Sequence, residues 1–142
     1  IALDEAHKAC EKNEVPIGAI IVKNGEVIAR AHNTRECEQS ALAHAEIIAI
    51  QRANETLNSW RLDSCSLYVT IEPCQMCSGA IIQSRIENVY YGATDLKSGA
   101  HQSILNLYEF PFNHKVNVES GILEEECGEL MTSFFKRLRN KN

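Results

Sequence analysis

The stretch "TIEPCQMCSGAII", residues 70–82, joins the end of one secondary-structure element to the start of the next. Its first residues belong to the run "SLYVTI" at 66–71, whose β-branched and aromatic residues predict a buried strand. Pro73 ends this strand and suits the first turn of a helix, which we expect at 74–84. A strand followed at once by a helix is typical of α/β folds.

The alternation of strands and helices extends along the chain in both directions. Two apolar runs at 17–22 and 27–32 flank Asn24-Gly25, a sequence typical of a tight hairpin turn. Apolar periodicity and glycine boundaries predict the remaining elements. These are helices at 1–12, 44–56, 103–109 and 123–139, and strands at 88–92 and 115–119.

This order predicts an α/β fold of one domain over residues 1–142, a length that supports a sizeable core. We expect a three-layer α/β/α sandwich, because strands that alternate with helices pack as a sheet covered on both faces. The central five-stranded sheet should be mostly parallel, with an N-terminal antiparallel hairpin.

Composition limits the classes of function. No apolar run approaches the roughly 20 residues that a membrane span needs, and no secretory signal is visible, so we expect no membrane partner and a cytoplasmic location. Ile1 already lies in a predicted helix, so we expect a few residues before it, which could carry targeting information. Six cysteines are present, but only Cys74 and Cys77 are closely spaced, which disfavours a disulfide framework.

The charge is unevenly distributed. The net charge of −5 argues weakly against a nucleic-acid partner, because phosphate binding depends on Lys and Arg. The end of the chain, "KRLRNKN" at 136–142, nevertheless carries four cations and no acid. It is either a binding surface for a polyanion or a solvated helix end that complements its own dipole.

Cys74 and Cys77 lie at i and i+3 of the predicted helix, within reach of one ion. Positive charge at a helix N-terminus favours their thiolate forms. A lone C-x-x-C motif is compatible with a redox pair, half of a structural zinc site or part of a catalytic site. A second C-x-x-C and an H-x₃₋₅-H motif are absent from the sequence, which disfavours a structural site with four protein ligands.

His44 differs from the other four histidines because Glu46 follows it by two residues. In mid-helix these side chains would point roughly 200° apart, so they face one centre only at the start of a helix. One imidazole and two thiolates leave a fourth position for water, the composition of a catalytic zinc site. Zinc lowers the pKa of bound water to about 7. Glu46 would be a poor fourth ligand and a good proton carrier.

The motifs H-A-E at 44–46 and P-C-x-x-C at 73–77 resemble the signature of the zinc-dependent cytidine/deoxycytidylate deaminase superfamily. Further segments resemble one branch of it, the bacterial tRNA-specific adenosine deaminases, from end to end. These are "EVPIGAIIV", "ARAHNTRE", "SWRL", "LYVTIEPCQMCSGAII", "VYYGATDLKSGA", "NHKV", "GIL" and "TSFFKRLR". The chain departs from that pattern at His101, where members usually have a small residue, and at Leu42, where many have threonine.

The resemblance implies a cytidine deaminase-like fold and a reaction. His44, Cys74 and Cys77 would bind one zinc ion per subunit together with water. Glu46 would carry protons while adenosine at the wobble position of a tRNA anticodon becomes inosine and ammonia leaves. Asn33 would contact the target nucleotide, although from the residues alone it could equally be an asparagine in a turn. Backbone groups of Ala45 and Cys74 would contact the base and the water.

The resemblance also implies the partners, an anticodon stem-loop and a second copy of the chain in a homodimer whose subunits complete each other's active sites. Lys136, Arg137 and Arg139 would hold phosphates. Phe134 and Phe135 are either core residues or base-stacking residues; we expect one of them to pack inward and one to lie near the RNA.

Three other readings stay open. A deaminase of a free nucleobase or nucleotide, such as guanine, cytosine or deoxycytidylate, would share the metal signature. A noncatalytic RNA-binding partner with a structural zinc is disfavoured because Glu46 is present. A thiol-redox protein would cycle Cys74 and Cys77 between dithiol and disulfide without a metal.

Overall fold

A computed structural model describes residues 1–140. Lys141, the fourth cation of the basic tail, and Asn142 lie outside the described residues. The helices are α1 (Ala2–Glu11), α2 (Arg35–Glu38), α3 (Ala45–Leu57), α4 (Gln75–Gln83) and α5 (Glu124–Asn140), and a short 3₁₀ helix spans Leu107–Glu109. The strands are β1 (Gly18–Lys23), β2 (Glu26–His32), β3 (Cys65–Ile71), β4 (Asn88–Ala93) and β5 (Asn117–Glu119).

The five strands form one sheet in the order β2-β1-β3-β4-β5. β1 runs antiparallel to both of its neighbours, while β3, β4 and β5 pair in parallel. Four strands therefore share one direction, and the predicted mostly parallel sheet with an N-terminal hairpin is confirmed. The hairpin turns at Asn24 and Gly25, whose φ values of 52° and 77° are those of a tight turn that follows the twist of the strands.

Alternate residues of the strands face two different layers. Leu67 and Tyr91 belong to the main core, which α3 and α4 cover. On the opposite face, Gly18 lies against α1 and Gly92 lies against Cys127 of α5, so closely that a Cβ atom at either glycine would overlap its neighbours. Helices thus cover both faces of the sheet, and the predicted three-layer α/β/α sandwich is confirmed.

The short helix α2 was not predicted from the sequence. Buried Glu14 accepts hydrogen bonds from the backbone N–H groups of Glu36 and Cys37, at 3.0 and 2.6 Å. These bonds satisfy donors at the start of the helix from a residue 22 positions away. A local pattern cannot show such a contact.

The predicted helix at 103–109 and strand at 115–119 are shorter in the structure. Only Leu107–Glu109 is helical, in the 3₁₀ form, and only Asn117–Glu119 pairs with β4. The segment before the 3₁₀ helix is irregular because its backbone N–H groups bind a buried carboxylate, described below. Within residues 1–140, the structure contains no helix with the length and apolar character that crossing a membrane requires.

Candidate metal centre and cavity

Two helices start next to each other at the ends of the sheet strands and bring three side chains together. α3 begins at Ala45, so His44 is its N-cap residue. α4 begins at Gln75, so Cys74 is its N-cap residue and Cys77 lies in its first turn. The Nδ1 atom of His44 lies 3.7 Å from the Sγ atom of Cys74 and 3.6 Å from that of Cys77.

These distances fit a zinc ion. Tetrahedral zinc with bonds of about 2.3 Å to sulfur and about 2.05 Å to nitrogen places its nitrogen and sulfur ligands about 3.6 Å apart. The three ligand atoms lie within 4.8 Å of one another, and within the described residues they form the one such cluster of His, Cys, Asp or Glu side chains. The donor set therefore suits a metal with three protein ligands.

Electrostatics at the cluster favours the thiolate form at Cys74 and the thiol form at Cys77. Hydrogen bonds with Cys77 and His44 lower the pKa of the Cys74 thiol to about 4, against the opposing effect of burial. The hydrogen bond with Cys74 and burial both raise the pKa of the Cys77 thiol. A metal ion that binds both sulfurs therefore displaces a proton from Cys77.

Glu46 lies in the first turn of α3, directly beside the cluster, and only 4% of its surface is exposed. Burial raises its pKa to about 7, and the neighbouring charge of Cys74 adds to this effect. A carboxyl group that titrates near neutral pH can both accept and donate a proton. His44 and Glu46, the predicted proton carrier, lie on the same side of α3 because this helix begins between them, at Ala45.

A cavity of about 840 Å³ opens next to the cluster. Its walls come from the segment before β1, the start of α3, the ends of β3 and β4, the loop after β4, and α5. Of the residues predicted to bind substrate or metal, it includes Asn33, His44, Ala45, Phe135 and Arg139. A cavity of this size suits a small-molecule or nucleotide ligand.

Asn33 is buried at the cavity wall, and its side-chain amide is already partly engaged. It donates to the carbonyl oxygen of Val15 at 3.3 Å and accepts from the backbone N–H of Arg35 at 3.1 Å. An amide has two N–H donors and two acceptor lone pairs, so half of its hydrogen-bonding capacity remains.

The end of α5 places the predicted RNA-binding residues in different surroundings. Phe134 is 5% exposed and packs inward, whereas Phe135 is 39% exposed and lines the cavity. Arg139 also lines the cavity. Lys136 is exposed outside it, and Arg137 points towards α1, where its guanidinium lies 2.9 Å from the Sγ atom of Cys10.

Two features of the site were not identified from the sequence. The loop after β4, residues 94–98, forms one wall of the cavity. The second feature is the buried carboxyl group of Glu72. Burial alone would raise its pKa, but hydrogen bonds from Ser103 and from three backbone amides lower the pKa overall. The loop could have been suspected, because ligands in α/β sheets bind beyond the carboxyl ends of parallel strands.

Comparison with known proteins supports one family. The protein-family model of the MafB19-like deaminases matches residues 1–139 of this chain. The tRNA-specific adenosine deaminase of Bacillus subtilis (strain 168) is 55% identical over 99% of this chain and 88% of its own length, and that of Aquifex aeolicus (strain VF5) is 51% identical over 99% and 93%. A structure solved in work on A-to-I editing by tRNA:A34 deaminases superimposes with a TM-score of 0.88 and 46% identity, over 91% of this chain and 94% of that one.

Proposed function

The chain belongs to the tRNA-specific adenosine deaminases, and we propose that it acts as one zinc-dependent domain that hydrolyses adenosine to inosine at the wobble position of tRNA anticodons. The observation that carries this proposal is the cluster of His44, Cys74 and Cys77, with nitrogen–sulfur distances of 3.6 and 3.7 Å, next to buried Glu46 and with His44 at the wall of the cavity. A cluster of three protein ligands leaves a position for a reactant, unlike a closed structural site.

The protein ligands of one zinc ion per subunit would be the Nδ1 atom of His44 and the sulfur atoms of Cys74 and Cys77. When bound, zinc lowers the pKa of a water ligand to about 7 and so supplies hydroxide at neutral pH. The positive ends of α3 and α4 point at this position and stabilise negative charge there.

Glu46 performs the proton transfers. It accepts a proton from the attacking water as the oxygen bonds to C6 of adenine, and it delivers a proton to N1 of the ring. It then takes the second proton of the former water from the new hydroxyl group on C6 and passes it to the departing amine, so that the C6–N bond breaks, ammonia leaves and the carbonyl group of inosine remains. One carboxyl group can serve in both directions because burial keeps its pKa near the working pH.

The target base must leave its stack to reach the cluster. Anticodon loops present unstacked nucleotides, which lowers the cost of extrusion. The free hydrogen-bonding groups of Asn33 and the backbone N–H of Ala45, in the first turn of α3, would hold the base or its ribose.

The C-terminal helix would contact the rest of the RNA. Phe135 offers an exposed ring for base stacking, and Arg139 offers a cation at the same cavity wall. Lys136 and Arg137 lie further from the cavity and would contact phosphates of the stem. These basic residues support an RNA substrate over a free nucleobase.

We also infer that the chain forms a homodimer and acts in the cytoplasm. Four apolar side chains between residues 104 and 112 are exposed in the single chain, and a cluster of this kind supports a protein interface. They are Ile104 (60% exposed), Leu105 (37%), Phe110 (54%) and Phe112 (49%).

The substrate assay that tests the proposed function measures ammonia release by the zinc-loaded protein. The substrates are an anticodon stem-loop with adenosine at the wobble position, free adenosine, guanine, cytosine and deoxycytidylate. Turnover of the stem-loop alone is expected. Turnover of guanine, cytosine or the nucleotide without the stem-loop would establish a small-molecule deaminase instead.

A further inference from the structure

Glu72 has a buried carboxylate that the proposed chemistry does not use; it is 3% exposed and directly precedes Pro73 of the metal-ligand segment. A carboxylate only accepts hydrogen bonds, and this one receives five, at 2.6 to 3.1 Å. The donors are the backbone N–H groups of Asp95, His101, Gln102 and Ser103 and the hydroxyl group of Ser103.

These donors lie at the two ends of one loop. Asp95 follows β4 by two residues, and residues 101–103 follow Gly99, which pairs with Cys74. Between them, Asp95 accepts from the N–H of Lys97 at 3.2 Å and from the hydroxyl group of Ser98 at 2.7 Å. Residues 94–98 form a wall of the cavity. Glu72 therefore fastens both ends of the segment that forms this wall.

The same loop is bonded to the residues that lead into the metal cluster. The N–H of Ala100 donates to the carbonyl oxygen of Pro73 at 2.9 Å, and Gly99 pairs with Cys74 in an isolated antiparallel bridge. A Cβ atom at Gly99 would overlap the carboxyl group of Glu72. The cavity wall and the ligand Cys74 are thus parts of one hydrogen-bonded unit with the carboxylate at its centre.

We propose that Glu72 is a positioning residue, which holds the loop of residues 94–103 against the metal-ligand segment so that the loop forms the wall that binds the RNA substrate. Glu72 does not line the cavity itself, so its effect on the reaction passes through the loop. The identity of the substrate rests on the proposed function; the anchoring of the loop does not.

The test compares the zinc-loaded parent with Glu72→Gln. In this variant an N–H₂ group replaces one acceptor oxygen, and because this group only donates, it cannot accept from the N–H groups of the loop. Hydrogen exchange measured by NMR should become at least about tenfold faster at the four anchored amides, because loss of a bond to a charged acceptor frees them. The exchange rates of the amides of Leu67 and Tyr91 in the sheet should be unchanged.

The kinetic constants of Glu72→Gln give the second readout. KM for the anticodon stem-loop should rise about tenfold, with kcat within about threefold of the parent and zinc content unchanged.

Glycine variants give a second route that keeps the test decisive if Glu72→Gln does not fold. Gly99→Ala places a methyl group against the carboxylate and should reproduce both effects. Gly79→Ala is the matched control, because a Cβ atom there meets nothing within 4 Å, and it should change neither exchange nor KM.

The outcomes separate this inference from the proposed function. Unchanged exchange at the four amides overturns the anchoring role. Faster exchange with an unchanged KM overturns the positioning role and leaves the deaminase proposal intact. A parent that makes no inosine contradicts the proposed function and with it the substrate-binding part of the inference, while the exchange rates still test the anchor.

Discussion

The Nδ1 atom of His44 and the Sγ atom of Cys77 lie 3.6 Å apart, although 33 positions separate the two residues in the sequence. Each belongs to the N-terminal end of a helix, and both helices cover the same face of the sheet. The contact arises because the two helices begin at one edge of the sheet, and it places a soft, three-donor site beside buried Glu46.

Glu46→Gln should lower kcat for the stem-loop by at least about a hundredfold, because general acid–base catalysis by one side chain contributes that much. The amide keeps the size of the side chain but transfers no proton near neutral pH. Zinc content, measured by atomic absorption, should stay at one ion per chain, since Glu46 lies outside the cluster of possible ligands. Turnover at the parental rate would exclude Glu46 as the proton carrier.

Cys77→Ser should abolish stoichiometric zinc, because the proposed site would lose one of its three ligands and a hydroxyl group is a poor substitute for a thiolate. The measurement is zinc per chain after dialysis against a mild chelator, together with inosine formation. Cys37→Ser is the control, since that thiol is exposed and lies outside the cluster. If both variants keep zinc, the metal lies elsewhere.

Arg139→Ala should weaken binding of the stem-loop and reduce the slope of log K against log salt by about one, as expected for loss of one phosphate contact. Fluorescence anisotropy over a salt series measures this slope. Lys23→Ala is the control, because this cation lies far from the cavity. Lys23 pairs with the first residue of β3, whereas the cavity lies at the last residue of β3. Equal slopes for the two variants would place the RNA on another surface.

Glu5→Gln should destabilise the fold at pH 7 by about 1.5–3 kcal/mol, the range for hydrogen bonds to charged groups. Burial opposes ionisation of Glu5, but Lys8, His32 and Arg30 lower its pKa overall, with contacts of 2.8 to 3.1 Å. A lowered folded-state pKa means that this stability is present above about pH 4.5, the unfolded value, and is lost as the pH falls through the folded-state pKa.

Urea unfolding at pH 7 and pH 3 measures the effect of Glu5. The difference between parent and Glu5→Gln should be large at pH 7 and shrink at pH 3. Glu11→Gln, at an exposed position of the same helix, should change stability by less than about 0.5 kcal/mol at both values. A difference that persists unchanged at pH 3 would contradict the ion-pair explanation.

Ile104→Asp should convert a dimer into monomers, because it places a charge on the exposed apolar segment of residues 104–112. Sedimentation velocity at micromolar concentration measures the state of assembly. Ile1→Asp is a matched control, since Ile1 is 58% exposed and Ile104 is 60% exposed. A fully active monomeric parent would refute both the dimer and its contribution to the active site.

The sheet and its hairpin could be predicted from the sequence because they depend on local signals. The meeting of His44 with Cys74 and Cys77, which lie 30 and 33 positions further along, was instead implied by the resemblance of their motifs to a known family. The Asn24-Gly25 turn, the apolar strand before Pro73 and the position of His44 at a helix start are all readable over a few residues. The role of Glu72 was not readable in this way, since its donors lie 23 to 31 positions further along the chain. The same holds for Glu14 and the short helix α2 that it stabilises.

The measurement that tests the central claim most directly is sequencing of an anticodon stem-loop after incubation with the zinc-loaded protein. Inosine is read as guanosine, so the account predicts an A-to-G change at the wobble position and at no other adenosine. It also predicts that the change is absent with Glu46→Gln. An unchanged wobble adenosine, with zinc present at one ion per chain, would contradict the account.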